Sequence, residues 1–254
     1  MELNQRICII TGGGSGIGKA TAIALASEGA IVHLVGRTLS KLESVKEIIE
    51  KTAGKSFIHN ADISDEAAVN RIVASITDTY GKIDLLINNA GHSSQHRQLL
   101  TTTHKEIQAV IDSNLIGTIN CTKAVVPHMV NMKEGTIINV SSTAGVEPSP
   151  LGGMIYSAVK AAIINFTGFL NKDLENTGIR SSVVIPGEVD TPILDNRPTP
   201  PSREARDTMV TPEDTAAVIL MIVKLPQRAN IPELKIRPTH VRNLSGEIEG
   251  ASNG

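Results

Sequence analysis

Short runs of β-branched and apolar residues alternate along the chain with segments whose apolar positions recur every three or four residues. Residues 6–11, 31–36, 56–60, 85–88, 136–140 and 182–185 are nearly continuous apolar runs of strand length, the pattern of strands covered on both faces. Between them, residues 17–28 place Ile17, Ala20, Thr21, Ala24 and Leu25 on one stripe. Residues 39–52 repeat Leu42, Val45, Ile48 and Ile49, and residues 65–80 repeat Ala68, Val69, Ile72 and Ile76. That period predicts helices with one buried face. Strand, helix, strand in this order implies right-handed parallel crossovers, hence an α/β fold: a doubly wound parallel sheet flanked by helices. A helix over 213–225 and an edge strand over 233–237 (ELKIR) complete the series at seven strands.

No Gly/Ser-rich linker and no repeat interrupts residues 1–254, so the chain reads as a single domain. The stretch 187–212 breaks the regularity with Pro192, Pro198, Pro200, Pro201 and Pro212. Irregular segments of this length inside a domain are usually functional, and this one is expected to be a substrate lid. Residues 243–254 are polar and are expected to form a mobile tail.

Composition narrows the classes. The 254 residues carry 24 Lys+Arg against 26 Asp+Glu, a formal charge of −2, with 41% apolar residues. That is too apolar for a disordered chain and too neutral for a nucleic-acid footprint. With three Phe, two Tyr and no Trp, little is available for stacking on bases, and the core must rest on Ile, Val, Leu and Ala. Cys8 and Cys121 sit in apolar stretches and are expected as buried thiols. No secretory signal is read, and the late apolar run 216–223 is too short for a bilayer. A cytoplasmic location, with no membrane or nucleic-acid partner, is the expectation. His92 and His96 are four apart but lie in a polar loop without a third ligand, so no metal site is expected.

The segment Thr11-Gly-Gly-Gly-Ser-Gly-Ile-Gly18 joins the first strand to the first helix. Glycines let a backbone approach a pyrophosphate, and the helix start supplies free N–H groups and a positive dipole end. Gly12, Ser15, Gly16, Ile17 and Gly18 are therefore candidate nucleotide-binding residues. The second strand ends Val35-Gly36-Arg37-Thr38, without the carboxylate that usually takes the ribose 2′-hydroxyl of NAD. Arg37 suits a 2′-phosphate instead, so NADP(H) is preferred and NAD(H) possible.

Tyr156 and Lys160 stand one turn apart at the start of a helical stretch. An ammonium held near a phenol favours phenolate, which is expected to lower the Tyr156 pKa and make it an acid–base catalyst. The preceding strands end in Asn88-Asn-Ala-Gly91 and Asn139-Val-Ser-Ser142, at the edge where open α/β sheets bind ligands.

Five motifs, in order, resemble the short-chain dehydrogenase/reductase family in its single-domain branch. They are Thr11-Gly12-xxx-Gly16-x-Gly18, Asn88-Asn-Ala-Gly91, Asn114, Ser142 with Tyr156-xxx-Lys160, and Pro186-Gly187 with Thr191. The resemblance runs from about Arg6 to Arg237 and implies a Rossmann fold. It implies that Tyr156 donates or accepts the substrate proton, Lys160 holds the nicotinamide ribose and Ser142 polarises the substrate oxygen. It implies that the Asn114 carbonyl holds a water linked to Lys160. Asp62 and Ile63 would meet the adenine, Asn89, Ala90 and Gly91 its ribose, and Pro186, Gly187, Val189 and Thr191 the nicotinamide carboxamide. Ser142 lies fourteen residues before Tyr156, one more than the usual spacing, which Thr143 would restore; Gly145, three places on, favours Ser142.

The expectation is an NADPH-dependent carbonyl reductase acting between a ketone and a secondary alcohol. An alcohol or hydroxysteroid dehydrogenase working in oxidation is the alternative, and a non-enzymatic nucleotide sensor a further one. The partner is a small molecule, and the family implies a homo-oligomer, a tetramer or dimer.

Overall fold

Seven parallel strands order themselves β3-β2-β1-β4-β5-β6-β7 in a computed structural model that describes residues 2–253. They are β1 (Ile7–Thr11), β2 (Ile31–Gly36), β3 (Lys55–Asn60), β4 (Leu85–Asn88), β5 (Gly135–Val140), β6 (Ile179–Pro186) and β7 (Glu233–Ile236). The α-helices are α1 (Gly16–Ser27), α2 (Leu39–Lys51), α3 (Glu66–Tyr80), α4 (His104–Ile111), α5 (Gly117–Met132), α6 (Met154–Asp173), α7 (Arg203–Arg206), α8 (Pro212–Lys224) and α9 (Ser245–Asn253).

Side chains alternate across the strands, and each face collects its own helices. Cys8 and Ile10 of β1 turn toward Leu25 of α1, Leu42 and Val45 of α2 and Ile219 and Ile222 of α8. Ile7 and Ile9 turn to the opposite face, against Val69 and Val73 of α3 and Val125 and Met129 of α5. Ile163 of α6 covers Val183 and Ile185 of β6 on that side. The cores are almost wholly aliphatic, as the scarcity of rings requires. Strand order reverses at β1, between β2 and β4, and the crevice at that switch point opens at the carboxyl ends of the strands.

β6 is longer than its apolar run suggests, because its polar start is buried with partners. The Arg180 guanidinium bonds Thr136 Oγ1 at 3.0 Å and the carbonyls of Val223 at 3.0 Å and Ala229 at 2.7 Å. It thereby caps the carboxyl end of α8. α4 and α5 form one helical rod joined by a π-turn, Asp112–Ile116. The stretch after β6 is not irregular throughout. It holds a 3-10 turn, Pro192–Asn196, the short α7, and a bridge between Val189 and Val210.

The expectation of a mobile tail is corrected. Residues from Ser245 form α9, and ion pairs fasten it down. Arg197 and Glu188 of the stretch after β6 and Arg242 and Glu247 of the carboxyl-terminal segment alternate in charge, with N–O distances of 2.7 to 3.0 Å. All four side chains are largely buried. No helix of the described residues is long and apolar enough to cross a membrane.

Candidate active site

The glycine turn is a close-packed cradle. Gly12 has φ +66°, and a Cβ there would stand 2.9 Å from the Ala90 Cα; a Cβ on Gly18 would stand 2.3 Å from the Gly12 carbonyl oxygen. Only glycine satisfies both the left-handed backbone and that approach. Thr11 Oγ1 accepts from the Asn89 and Ala90 N–H groups at 3.0 Å each, and Asn89 Nδ2 donates to the Thr11 carbonyl at 3.1 Å. These bonds lock the end of β4 to the turn. α1 begins at Gly16 with no side chain on its first N–H groups and no acid in its first turn. Its donors and dipole are left for a phosphate.

Beside it lies a side pocket edged by Arg37, Thr38, Lys41, Asp62 and Ile63. Arg37 is 63% exposed and meets Asp62 at 3.7 Å. Burial pushes the Asp62 carboxyl up, but the Ser64 N–H and hydroxyl together with Arg37 outweigh it and hold the carboxyl low. Asn120 fixes the Ile63 and Ser64 carbonyls at 3.0 and 3.1 Å. Lys41 escaped the sequence reading: one turn into a helix with alternating charges, it carries no local mark of a ligand.

The main cleft, about 520 Å³, is lined by Gly12, Ser15, Gly16, Ile17, Asn89, Ala90, Gly91, Ser142, Tyr156, Lys160, Pro186, Gly187, Val189 and Thr191. Gly18 and Asn114 stand behind the wall. Asn114 is 1% exposed and sits in the π-turn, a distortion frequent at functional positions. Its Nδ2 donates to the His92 and Val110 carbonyls at 2.9 Å, and its own carbonyl accepts from Thr118 Oγ1 at 2.8 Å. A Cβ on Gly91 would stand 2.3 Å from Asn114 Oδ1 and 3.4 Å from Lys160 Nζ, so Asn114 and Lys160 converge on Gly91.

The hydroxyl row after β5 divides by orientation. Ser141 Oγ donates to the Lys160 carbonyl at 2.7 Å and is structural. Ser142 Oγ accepts from the Ala144 N–H at 3.2 Å, and its hydroxyl draws the Tyr156 phenol down. Thr143, which also reaches the cleft, begins a 3-10 turn. Both Ser142 and Thr143 line the cleft, and of the two only Ser142 acts on the Tyr156 phenol.

The expected effect of Lys160 on Tyr156 is corrected for the protein without cofactor. Lys160 Nζ donates to the Val140 carbonyl at 3.0 Å and lies 5.4 Å from the centre of the Tyr156 ring. Enclosure raises the phenol above its usual value; Ser142, Arg97 and Arg197 pull the other way without restoring it. Burial lowers the Lys160 ammonium to about 8. Arg97 and Arg197 thus add positive charge near the tyrosine beside the Lys160 ammonium, and neither was singled out from the sequence. His92 turns away from this cleft, its Nδ1 2.7 Å from Ser113 Oγ.

A glycine cradle at the switch point, free N–H groups at α1 and a Ser–Tyr–Lys cluster across the cleft define an NAD(P)-dependent oxidoreductase on a Rossmann fold. The chain belongs to the short chain dehydrogenase family, whose pattern matches residues 6–201. The 3-oxoacyl-(acyl-carrier-protein) reductase FabG of Thermotoga maritima is 35% identical over 231 residues, 87% of this chain and 92% of that protein. Among solved structures, the closed form of a serine dehydrogenase complexed with NADP+ superposes with a TM-score of 0.83 at 30% identity, over 91% of this chain and 94% of the other. A metagenomic short-chain oxidoreductase in complex with NADP gives 0.82 at 29% identity, over 95% and 100%.

Proposed function

We propose that this protein is a carbonyl reductase that prefers NADP(H). One observation carries the reading: Ser142, Tyr156 and Lys160 face one cleft that also contains the glycine cradle. NADP(H) would lie with its pyrophosphate at Gly12–Gly18, its 2′-phosphate at Arg37 and Lys41, and its nicotinamide at Pro186, Gly187, Val189 and Thr191. Complexes of the similar dehydrogenases with NADP support that choice. When bound, the cofactor supplies or takes up a hydride at the carbonyl carbon.

The protein's own groups handle the oxygen. Ser142 Oγ donates a hydrogen bond to the carbonyl oxygen and polarises it. Tyr156 Oη gives its proton to the same oxygen as charge develops there. Lys160, with an ammonium near 8, is poised to return a proton toward the phenol, and Asn114 positions the relay behind it. The residues 187–212 close over the cleft and limit water.

The test is hydride transfer. NADPH and NADH consumption is followed against a panel of ketones with the wild type and Tyr156→Phe. Ketone-dependent NADPH consumption that disappears in the variant, with NADPH binding retained, is expected. Turnover surviving Tyr156→Phe sinks the reading.

A further inference from the structure

Arg97 projects into the cleft from the loop after β4, and it is 6% exposed. Its stem packs on Gly153, where a Cβ would come within 3.1 Å of the Arg97 Cβ. Its carbonyl accepts from the Met154 N–H at 2.9 Å, at the first residue of α6. The guanidinium is thus built against the helix that carries Tyr156.

Its partners are all neutral. Nη1 donates to the carbonyls of Leu151 and Gly152, and Nη2 to the Asn196 carbonyl at 3.3 Å. Nε is shut off from solvent with no partner. Of five N–H donors, two are left over. No carboxylate among the described residues pairs with it; its electrostatic neighbours are a second cation, Arg197, and the Tyr156 phenol, which favours the charged guanidinium only when ionised. Arg197 is itself satisfied by Glu188 at 3.0 Å and Glu247 at 2.8 Å. Burial and Arg197 lower the Arg97 guanidinium to about 10, which leaves it charged at neutral pH. A buried cation without a counter-ion is costly, and a neutral amide would brace the same carbonyls without that cost.

We propose that Arg97 is a specificity-determining residue, and that the substrate is an oxo acid whose carboxylate sits on the Arg97 guanidinium while its carbonyl oxygen faces Ser142 and Tyr156. A monoanion matches the single buried, uncompensated charge. A phosphate dianion would need a second buried unpaired cation, and Arg197 is paired while Lys235 and Arg237, which also line the cleft, are exposed. The inference rests on the carbonyl reductase reading.

The test compares 2-oxo, 3-oxo and 4-oxo carboxylates with their methyl esters, using NADPH and the full chain at neutral pH. At least one acid should exceed its ester about tenfold or more in kcat/KM, mostly through KM. Arg97→Met should erase that gap, lowering kcat/KM for the acid far more than for its ester, and Arg97→Lys should keep part of it. Wild type reducing esters as well as acids overturns the inference. So does an Arg97→Met variant that slows acid and ester alike and shifts both pH–rate profiles, which would make Arg97 a support of the phenolate alone. If Arg97→Met does not fold, the wild-type ratio and the Arg97→Lys variant decide. Thermal melting of the NADP+-loaded protein with the matching hydroxy acids and their esters needs no turnover. Stabilisation by an acid but not its ester is expected, and none overturns the proposal. Turnover of esters without acid preference sinks the Arg97 assignment alone, whereas no NADPH consumption with acids, esters or neutral ketones sinks the underlying reading.

Discussion

Lys160 directs its ammonium onto the Val140 carbonyl, 3.0 Å away, and not onto the phenol of Tyr156. The strand end therefore fixes the lysine, and enclosure sets the state of the tyrosine. In the cofactor-free protein the Tyr156 phenol should titrate above the usual value near ~10. The difference between ultraviolet pH titrations of wild type and Tyr156→Phe isolates it. Lys160→Met should leave that titration in place while cutting turnover by about a hundredfold or more. A phenol titrating below its ordinary range in the free protein contradicts this account.

Gly145 lies against the backbone of α6: a Cβ there would stand 2.5 Å from the Lys160 carbonyl carbon. Gly145→Ala should push the start of α6 away from Ser142 and reduce kcat about a hundredfold, since displacements near 1 Å cost that much. Far-UV circular dichroism should be unchanged. For the hydroxyl assignment, Ser142→Ala should be far more damaging than Thr143→Ala, and the reverse order would transfer the role to Thr143.

On the proposed reading, cofactor choice follows from charge at the end of β2. Arg37→Asp should lower kcat/KM for NADPH by about a hundredfold and raise that for NADH, because a 2′-phosphate would then meet a carboxylate. Lys41→Ala should weaken NADPH more mildly and spare NADH. An unaltered NADPH/NADH ratio in Arg37→Asp excludes Arg37 from phosphate recognition.

His33 and His59 meet ring to ring across β2 and β3, with Nδ1 of one 3.0 Å from Nε2 of the other. Burial, and then the neighbouring ring, lowers His33 to about 4, and burial lowers His59. Unfolding restores the ordinary value of 6.5, so below it the unfolded chain takes up protons that the native pair refuses. The stabilisation is complete above pH 6.5 and is lost as pH falls toward 4. His33→Leu should flatten that slope, and the wild type should lose about 5 °C more than the variant between pH 7 and pH 4.5. Parallel melting curves would remove the pair from the pH response.

Much of the fold was legible because its signals are local. The β1 turn states its glycines in consecutive positions, and β1, β2 and β4 are continuous apolar runs. β6 was shortened in the reading because Arg180 and Ser181 look like loop residues until their distant partners are known. The π-turn around Asn114, which packs against α6 together with α4, has no sequence mark. α9 was missed because its order comes from ion pairs to residues about fifty positions away. Among site residues, Tyr156, Lys160 and the glycines announced themselves by spacing. Arg97 did not, because its importance lies in the carboxylate it lacks.

The alternation Arg197, Glu188, Arg242, Glu247 joins two segments that enclose the cleft, and one of them is the carboxyl-terminal end. A purification tag or fusion partner there would pull on the same residues that shape substrate access. The amino-terminal end precedes β1, whose first residue Ile7 and the preceding Arg6 are held by Asp84 at the opposite end of the strand from the cleft. A tether at the amino terminus leaves the catalytic edge free.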